Sequence, residues 1–280
     1  MTDQLNFLPN TNIEILTADI ERGKIRHVVF DFDGTLSLIR EGWQKIMIPM
    51  GVEFLQETGT DESEEQLNEV VNEFVTRLTG KQTIYQMIEL AEEVKKRGGS
   101  PKEPLEYKHI YLNRLWERIK HRVEGLKSGE LKPEEFIMPG GYELLNALKE
   151  HDCTMYLASG TDHPYVVDES SAIRVADYFG DQIYGALDDY KNFSKKMIIQ
   201  KILADHDLSG SELLTFGDGF VEIEDTKAVG GIAVGVASDE VGLQNVDDWK
   251  RNRLIQAGAD LIIPHFREWR PLINYLFAEE

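Results

Sequence analysis

Two aspartates one residue apart, Asp31 and Asp33, stand at the end of the apolar run Val28-Val29-Phe30 and are followed at once by Gly34. The run consists of β-formers and is too brief for a helix, so it reads as a fully buried strand. In extended backbone residues i and i+2 point the same way, so both carboxylates project beyond the strand's carboxyl end. Open α/β sheets bind their ligands at that end. Gly34 lets the chain turn there without Cβ strain. Two carboxylates on one small ledge repel each other and require a cation, a shared proton, or both.

The elements around this ledge follow from periodicity. Residues 154–158 form a second apolar strand that ends at Ser159-Gly160-Thr161, and residues 213–216 form another that runs into Gly217-Asp218-Gly219. Further strands are expected around 183–185 (a short one), 232–236 and 261–263, with helices between, including one from about 142 to 149 and one from 194 to about 205. Strand–helix alternation of this kind predicts a parallel sheet covered on both faces. From about 40 to 137 the period changes to that of helices. Leu67, Val70, Val71, Phe74 and Leu78 make one stripe, and Ile84, Ile88, Ala91 and Val94 a second. Leu105, Leu112, Leu115, Ile119, Val123 and Leu126 make a third, separated from the second by Gly98-Gly99-Ser100-Pro101. Pro49 is expected to stop or kink the helix that contains Trp43 and Ile46. The acidic run from Asp61 to Glu65 reads as a solvated helix start. Nearly a hundred residues of helix is too much for a loop and reads as a separate inserted domain. Residues 1–24 carry only a weak alternation at 12–16, an edge strand or a packed tail.

Asp-Phe-Asp-Gly-Thr-Leu, residues 31–36, resembles the first motif of the haloacid dehalogenase-like hydrolase superfamily, and later matches extend the resemblance over nearly the whole chain. The resemblance implies an α/β fold: a Rossmann-like three-layer core of residues 1–39 and 138–280, with a helical cap of residues 40–137 inserted after the first core strand. It implies Asp31 as a nucleophile attacking phosphorus; a carboxylate of ordinary pKa is ionised at neutral pH and needs no base for this. Asp33 becomes the general acid and base, which favours phosphoryl transfer over attack on carbon. Ser159 and Gly160 match the second motif, where a hydroxyl and an amide donate to phosphoryl oxygens. Lys195 matches the third, with Lys196 and Lys191 as rivals in register. Residues 217–222 match the fourth: Asp31, the backbone carbonyl of Asp33, and Asp218 would hold Mg2+. Glu222 stands where the family often has a second Asp, and Glu224 and Asp225 are alternatives to it. Arg40, Trp43 and Lys81 suit phosphate or sugar contacts in the cap but fit ordinary cap surface and core better. Trp249-Lys250-Arg251 reads as a surface segment.

Composition sets the remaining bounds. With 280 residues, 41% hydrophobic and 29% charged, the chain fits a soluble globular protein with an ample core. A net charge of −20 argues against nucleic acid and anionic membrane as partners, and requires any phosphate site to be made positive locally. The single cysteine, Cys153, excludes an intrachain disulfide and reads as a small buried residue. No His-Glu-x-x-His or Cys/His spacing supports a zinc hydrolase. Residues 1–4 show no signal-peptide pattern, and no apolar run reaches about 20 residues, so a cytoplasmic location is expected. The expected activity is Mg2+-dependent hydrolysis of a small-molecule phosphate monoester through an aspartyl-phosphate. The alternatives are a phosphosugar mutase of the same fold, a phosphonate hydrolase (for which no Schiff-base lysine is identified), and a catalytically silent binding module. Nothing in the sequence fixes an oligomeric state.

Overall fold

The structure, a computed structural model, describes residues 6–187, 194–206 and 210–279. Residues 1–4, read above for a leader, and Lys191 lie outside them. Seven strands form one sheet: β1 (Glu14–Ile15), β2 (His27–Phe30), β3 (Thr154–Asp162), β4 (Ile183–Ala186), β5 (Leu213–Gly217), β6 (Ile232–Val236) and β7 (Leu261–Ile263), in the spatial order β1-β7-β6-β5-β2-β3-β4. Every pairing is parallel except that of β1 with β7. The weakly alternating segment near the amino end is therefore an edge strand.

Alternation along β2 decides the layering. Val28 and Phe30 point to one face, where they join Met155, Leu157, Leu214 and Phe216 in a core closed by α5 (Gly141–Glu150), α6 (His163–Ala172), α7 (Ala176–Phe179) and α11 (Trp269–Phe277). Val29 points to the other face and packs with Tyr156, Ala158 and Leu213 under α8 (Lys195–His206). Farther along that face α9 (Phe220–Ala228) and α10 (Asp248–Gln256) contribute Ile223 and Leu254 over Ala233 and Ile262. The Phe30 and Phe216 rings stack at 4.9 Å across adjacent strands, with Phe30 directly opposite Phe216 in the ladder. The result is a three-layer α/β/α core.

Between β2 and β3 lies the inserted helical cap: α1 (Gln44–Gln56), α2 (Glu64–Leu78), α3 (Thr83–Lys96) and α4 (Pro104–Ser128). α2 starts at an N-cap Ser63 whose hydroxyl accepts the Gln66 N–H while Gln66 accepts from Ser63 N–H, so the acidic run leads into a capping box. Two details differ from expectation. Of the stop or kink expected at Pro49, the stop does not occur: Pro49 lies inside α1, where only its bond to the carbonyl four residues back is forfeited while Met50, Val52, Phe54 and Leu55 still bury behind it. In α4 the buried row is Tyr107, Tyr111, Leu115, Ile119, Val123 and Leu126, whereas Leu105 and Leu112 are only half-buried. Near-regular steps of three and four keep these positions on one side of a helix, and the two tyrosines fill the places a purely aliphatic pattern missed.

The cap is tied back to the segment that leaves β2. Arg122 of α4 donates to the carbonyls of Ile39 (2.7 Å), Glu41 (3.3 Å) and Leu38 (3.4 Å), and to the Glu41 carboxylate (3.3 Å). Hydrogen bonds to a charged group are the stronger kind, and removing this one strands the carbonyls of Ile39 and Glu41, while that of Leu38 keeps the Glu41 N–H. Arg122→Ala is therefore expected to lower the free energy of unfolding by about 2 kcal/mol, read as a shifted urea midpoint with unchanged slope. Arg122→Lys should recover only part of the loss.

Candidate active site

β2 and β5 are neighbours in parallel register, so the residues that follow them emerge side by side. Asp31 leaves β2 with its amide bonded to the Phe216 carbonyl at 2.9 Å, and Asp218 follows β5 one residue beyond Gly217. Gly34, with φ +76°, makes the turn beside them; a Cβ there would come within 2.4 Å of Asp218 Oδ2. Carboxylate oxygens of Asp31, Asp218 and Glu222 all lie within 4.8 Å of one another.

Lys195, the first residue of α8, places Nζ 2.8 Å from Asp31 Oδ2 and 2.9 Å from Glu222 Oε2. Its rival Lys196 is exposed. Glu222 sits in the first turn of α9, where Oε1 accepts the Gly219 N–H at 2.7 Å. Glu224 is exposed and Asp225 half-buried, and neither belongs to the cluster of three carboxylates.

Burial pushes the Asp31 carboxyl well above the usual carboxylate range; Lys195 opposes this, and Glu222 and Asp218 add to it. The expectation of an ordinary carboxylate at this position thus fails for the protein alone. Burial would also raise Glu222, but Lys195 and the backbone N–H donors outweigh it and hold that group below its ordinary value. For Lys195, burial favours the neutral amine, and the charges of Asp31 and Glu222 overcome it and hold the ammonium above its usual range.

Asp33 is held differently. Its Oδ2 accepts from Thr161 Oγ1 at 2.8 Å and from Ser159 Oγ at 3.2 Å, which sets the Ser-Gly-Thr end of β3 against the first motif. Oδ1 is buried, makes no hydrogen bond among the described residues, and lies 3.8 Å from Arg40 Nε. Arg40 is itself buried and bidentate to Glu169 of α6, with Nη2 at 2.6 Å and Nε at 2.9 Å. Gly160 does steric work as well, since a Cβ there would stand 3.2 Å from the Lys81 carbonyl of the cap.

A pocket of about 100 Å3 lies between these groups and the cap. Asp31, Asp33, Ser159, Gly160, Lys195 and Asp218 line its core side, and Arg40, Trp43, Lys81, Gln86 and Tyr111 line its cap side. Arg40, Trp43 and Lys81, better suited by sequence to ordinary cap surface and core, all face it.

One assignment is overturned. Lys250 is not part of a surface segment: it is buried and its Nζ lies 2.9 Å from Asp218 Oδ2 and 2.6 Å from Glu240 Oε1. No sequence pattern singles it out: Trp249 beside it is half exposed, and Arg251 turns away to Glu14. Burial disfavours its charge, and Asp218 and Glu240 more than restore it.

The donor set fits a divalent cation. Asp31, Asp218, Glu222 and Glu240 are four carboxylates that share only Lys195 and Lys250 among the described residues. A hard cation with two positive charges and a preference for oxygen matches both the deficit and the ligand chemistry.

A family model for haloacid dehalogenase-like hydrolases matches residues 25–230. The chain belongs to this family. Solved structures similar to it include a β-phosphoglucomutase from Clostridium difficile (TM-score 0.60, 15% identity, covering 91% of this chain and 97% of that one). A haloacid dehalogenase-like hydrolase from Entamoeba histolytica gives a TM-score of 0.58 at 19% identity, covering 91% of this chain and 100% of that one. A predicted phosphoglycolate phosphatase from Haemophilus somnus gives 0.56 at 16% identity, covering 88% and 96%. At these identities the likeness is one of fold. No curated protein matches the sequence. No helix among the described residues is long and apolar enough to cross a membrane.

The raised Asp31 sets a sign for pH dependence in this hydrolase. A carboxyl whose folded value lies above its unfolded value of 3.8 holds a proton in the folded state that the unfolded chain has released. Its contribution to stability therefore falls as the pH rises above about 4. A divalent cation held by Asp31 would displace that proton, so its stabilising effect would grow in the same direction. The rise in melting temperature caused by saturating Mg2+ is expected to increase between pH 5 and pH 7, and Asp31→Asn should flatten the dependence. A Mg2+ increment independent of pH in the wild type would contradict this picture of Asp31.

Proposed function

We propose that this hydrolase is a Mg2+-dependent phosphomonoesterase acting on a small soluble phosphate ester in the cytoplasm, with residues 40–137 as a cap over a core of residues 1–39 and 138–280. The observation that carries the reading is the convergence of Asp31, Lys195 and Asp218 on the core side of one pocket, together with Asp33, whose Oδ1 makes no hydrogen bond among the described residues. Asp31 attacks phosphorus in line, the bond from phosphorus to the ester oxygen breaks, and Asp33 gives that oxygen a proton. Water then attacks the aspartyl-phosphate while Asp33 takes a proton back, and inorganic phosphate leaves.

Thr161 and Ser159 fix one oxygen of Asp33, so the proton is carried on Oδ1. Lys195 offsets the charge of the Asp31 carboxylate before attack and that of the phosphoryl oxygens, and Ser159 and Gly160 line that end of the pocket. Asp31, Asp218 and the backbone carbonyl of Asp33 would hold Mg2+, with Glu222 behind Lys195 as the further acid. Bound there, Mg2+ supplies Lewis-acid stabilisation of the phosphoryl charge.

A mutase of the same fold would return the phosphoryl group to a second hydroxyl of a sugar phosphate. The assay below separates the two.

The test is a broad panel of phosphate esters assayed for inorganic phosphate with and without Mg2+. Metal-dependent release is expected, and Asp31→Asn should lower it by on the order of 10^4-fold or more with an unchanged circular dichroism spectrum. Asp33→Asn should cost about 10^2- to 10^4-fold, most for esters with poor leaving groups. Isomerised sugar phosphate without phosphate release would establish the mutase. Tight ligand binding with no turnover of any ester would establish a silent binding module.

A further inference from the structure

α10 points two cations at different parts of the molecule. Lys250 holds Asp218, and Arg253, one turn later on the same helix, reaches across to the cap. The Arg253 guanidinium donates to the carbonyl of Arg77 at 2.7 Å, to that of Thr79 at 2.9 Å, and to that of Thr76. All three acceptors lie at the carboxyl end of α2, where helix carbonyls lack partners within the helix and the macrodipole is negative. A planar fork of donors suits such a cluster of carbonyls better than an ammonium does. Its other contacts are aromatic: the guanidinium carbon lies 4.5 Å from the ring of Phe220 and 5.2 Å from that of Trp249. Phe220 opens α9, two residues after Asp218.

The segment that Arg253 grips leads directly into the site. Thr79, Gly80 and Lys81 line the pocket, and the Lys81 carbonyl packs against Gly160. We infer that Arg253 is a positioning residue that clamps the end of α2 to the core and thereby sets the 79–82 loop over the substrate. Nothing in the sequence marks it, since an arginine on a polar helix normally serves as surface. The inference rests on the phosphatase reading only for its kinetic arm. The clamp is made of charged hydrogen bonds to backbone.

The experiment compares the full-length wild type with Arg253→Met and Arg253→Lys. Hydrogen exchange is followed by mass spectrometry on resting protein without substrate. In Arg253→Met, amide exchange in peptides covering residues 77–86 should speed up by at least about tenfold, while β2 and β5 stay protected. With the best ester from the panel, KM should rise about tenfold and kcat change less, and Arg253→Lys should recover part of both effects. Unchanged exchange over 77–86 would overturn the inference. So would acceleration of equal size in β2 and β5, which would mark a general loss of stability. Because exchange is read without turnover, this arm stands or falls independently of whether any phosphate ester is hydrolysed.

Discussion

Parallel pairing of β2 with β5 forces like charges together. The ladder places Phe30 opposite Phe216, and the stacked rings fix that register from inside the core. Asp31 and Asp218 then have to emerge at the same sheet end, with Glu222 folded back toward them from the first turn of α9. Two unit charges about 4 Å apart repel by roughly 4 kcal/mol at an effective dielectric of 20, so three such carboxylates strain a fold of ordinary stability. Lys195 is what makes the arrangement tolerable, and it is shared between Asp31 and Glu222. A lysine that left the α8 start would leave two buried carboxylates facing each other. The apolar strands thus impose the site, and the site's own charges define what it must recruit.

Much of this was legible because it is local. The Val28-Val29-Phe30 run, the Asp-x-Asp-Gly turn and the Gly-Asp-Gly turn each encode a strand end within a few residues, and the structure brings their acids together. The helical cap was legible from its period, although Pro49 and the two tyrosines of α4 show the limits of reading apolar stripes alone. The remainder depends on pairs remote in sequence. Glu169 meets Arg40 across 129 positions, and Lys250 meets Asp218 across 32. No periodicity announces such a pair, because a charged residue buried by one partner looks in sequence like a charged residue on the surface. Composition could say only that the acids outnumber the bases.

Those remote pairs also share a design. Each takes a side chain that lines or supports the pocket and satisfies it from a different helix: Arg40 from α6, Asp218 from α10, Asp33 from the end of β3. A side chain fixed from two elements keeps one rotamer, and a pocket built from fixed rotamers does not have to order itself around its ligand. Asp33 is the instructive case. Two hydroxyls occupy one oxygen, and the other is left in the pocket beside a cation that is already spent on Glu169. An arginine with its own carboxylate partner raises the local potential less than a free one, so it orients its neighbours without seizing an anionic ligand outright.

The overall charge of −20 bears on how an anionic ester is received. Exposed charges are screened beyond about 8 Å at physiological ionic strength, so most of the surface acids are silent at the pocket. What counts is the inventory within that distance. Lys195 and Lys250 are there, but each is bound by two carboxylates, and the protein's own groups leave the ledge negative. Lys81 lines the cap side, yet its ammonium lies over aromatic rings, 5.9 Å from Tyr85 and 6.0 Å from Phe220. Side chains alone therefore do not build the positive well that a phosphoryl group needs. The deficit lies at Asp31 and Asp218, where a divalent cation would both relieve the carboxylates and turn the local potential, making the acidity of the ledge the means by which it binds an anion.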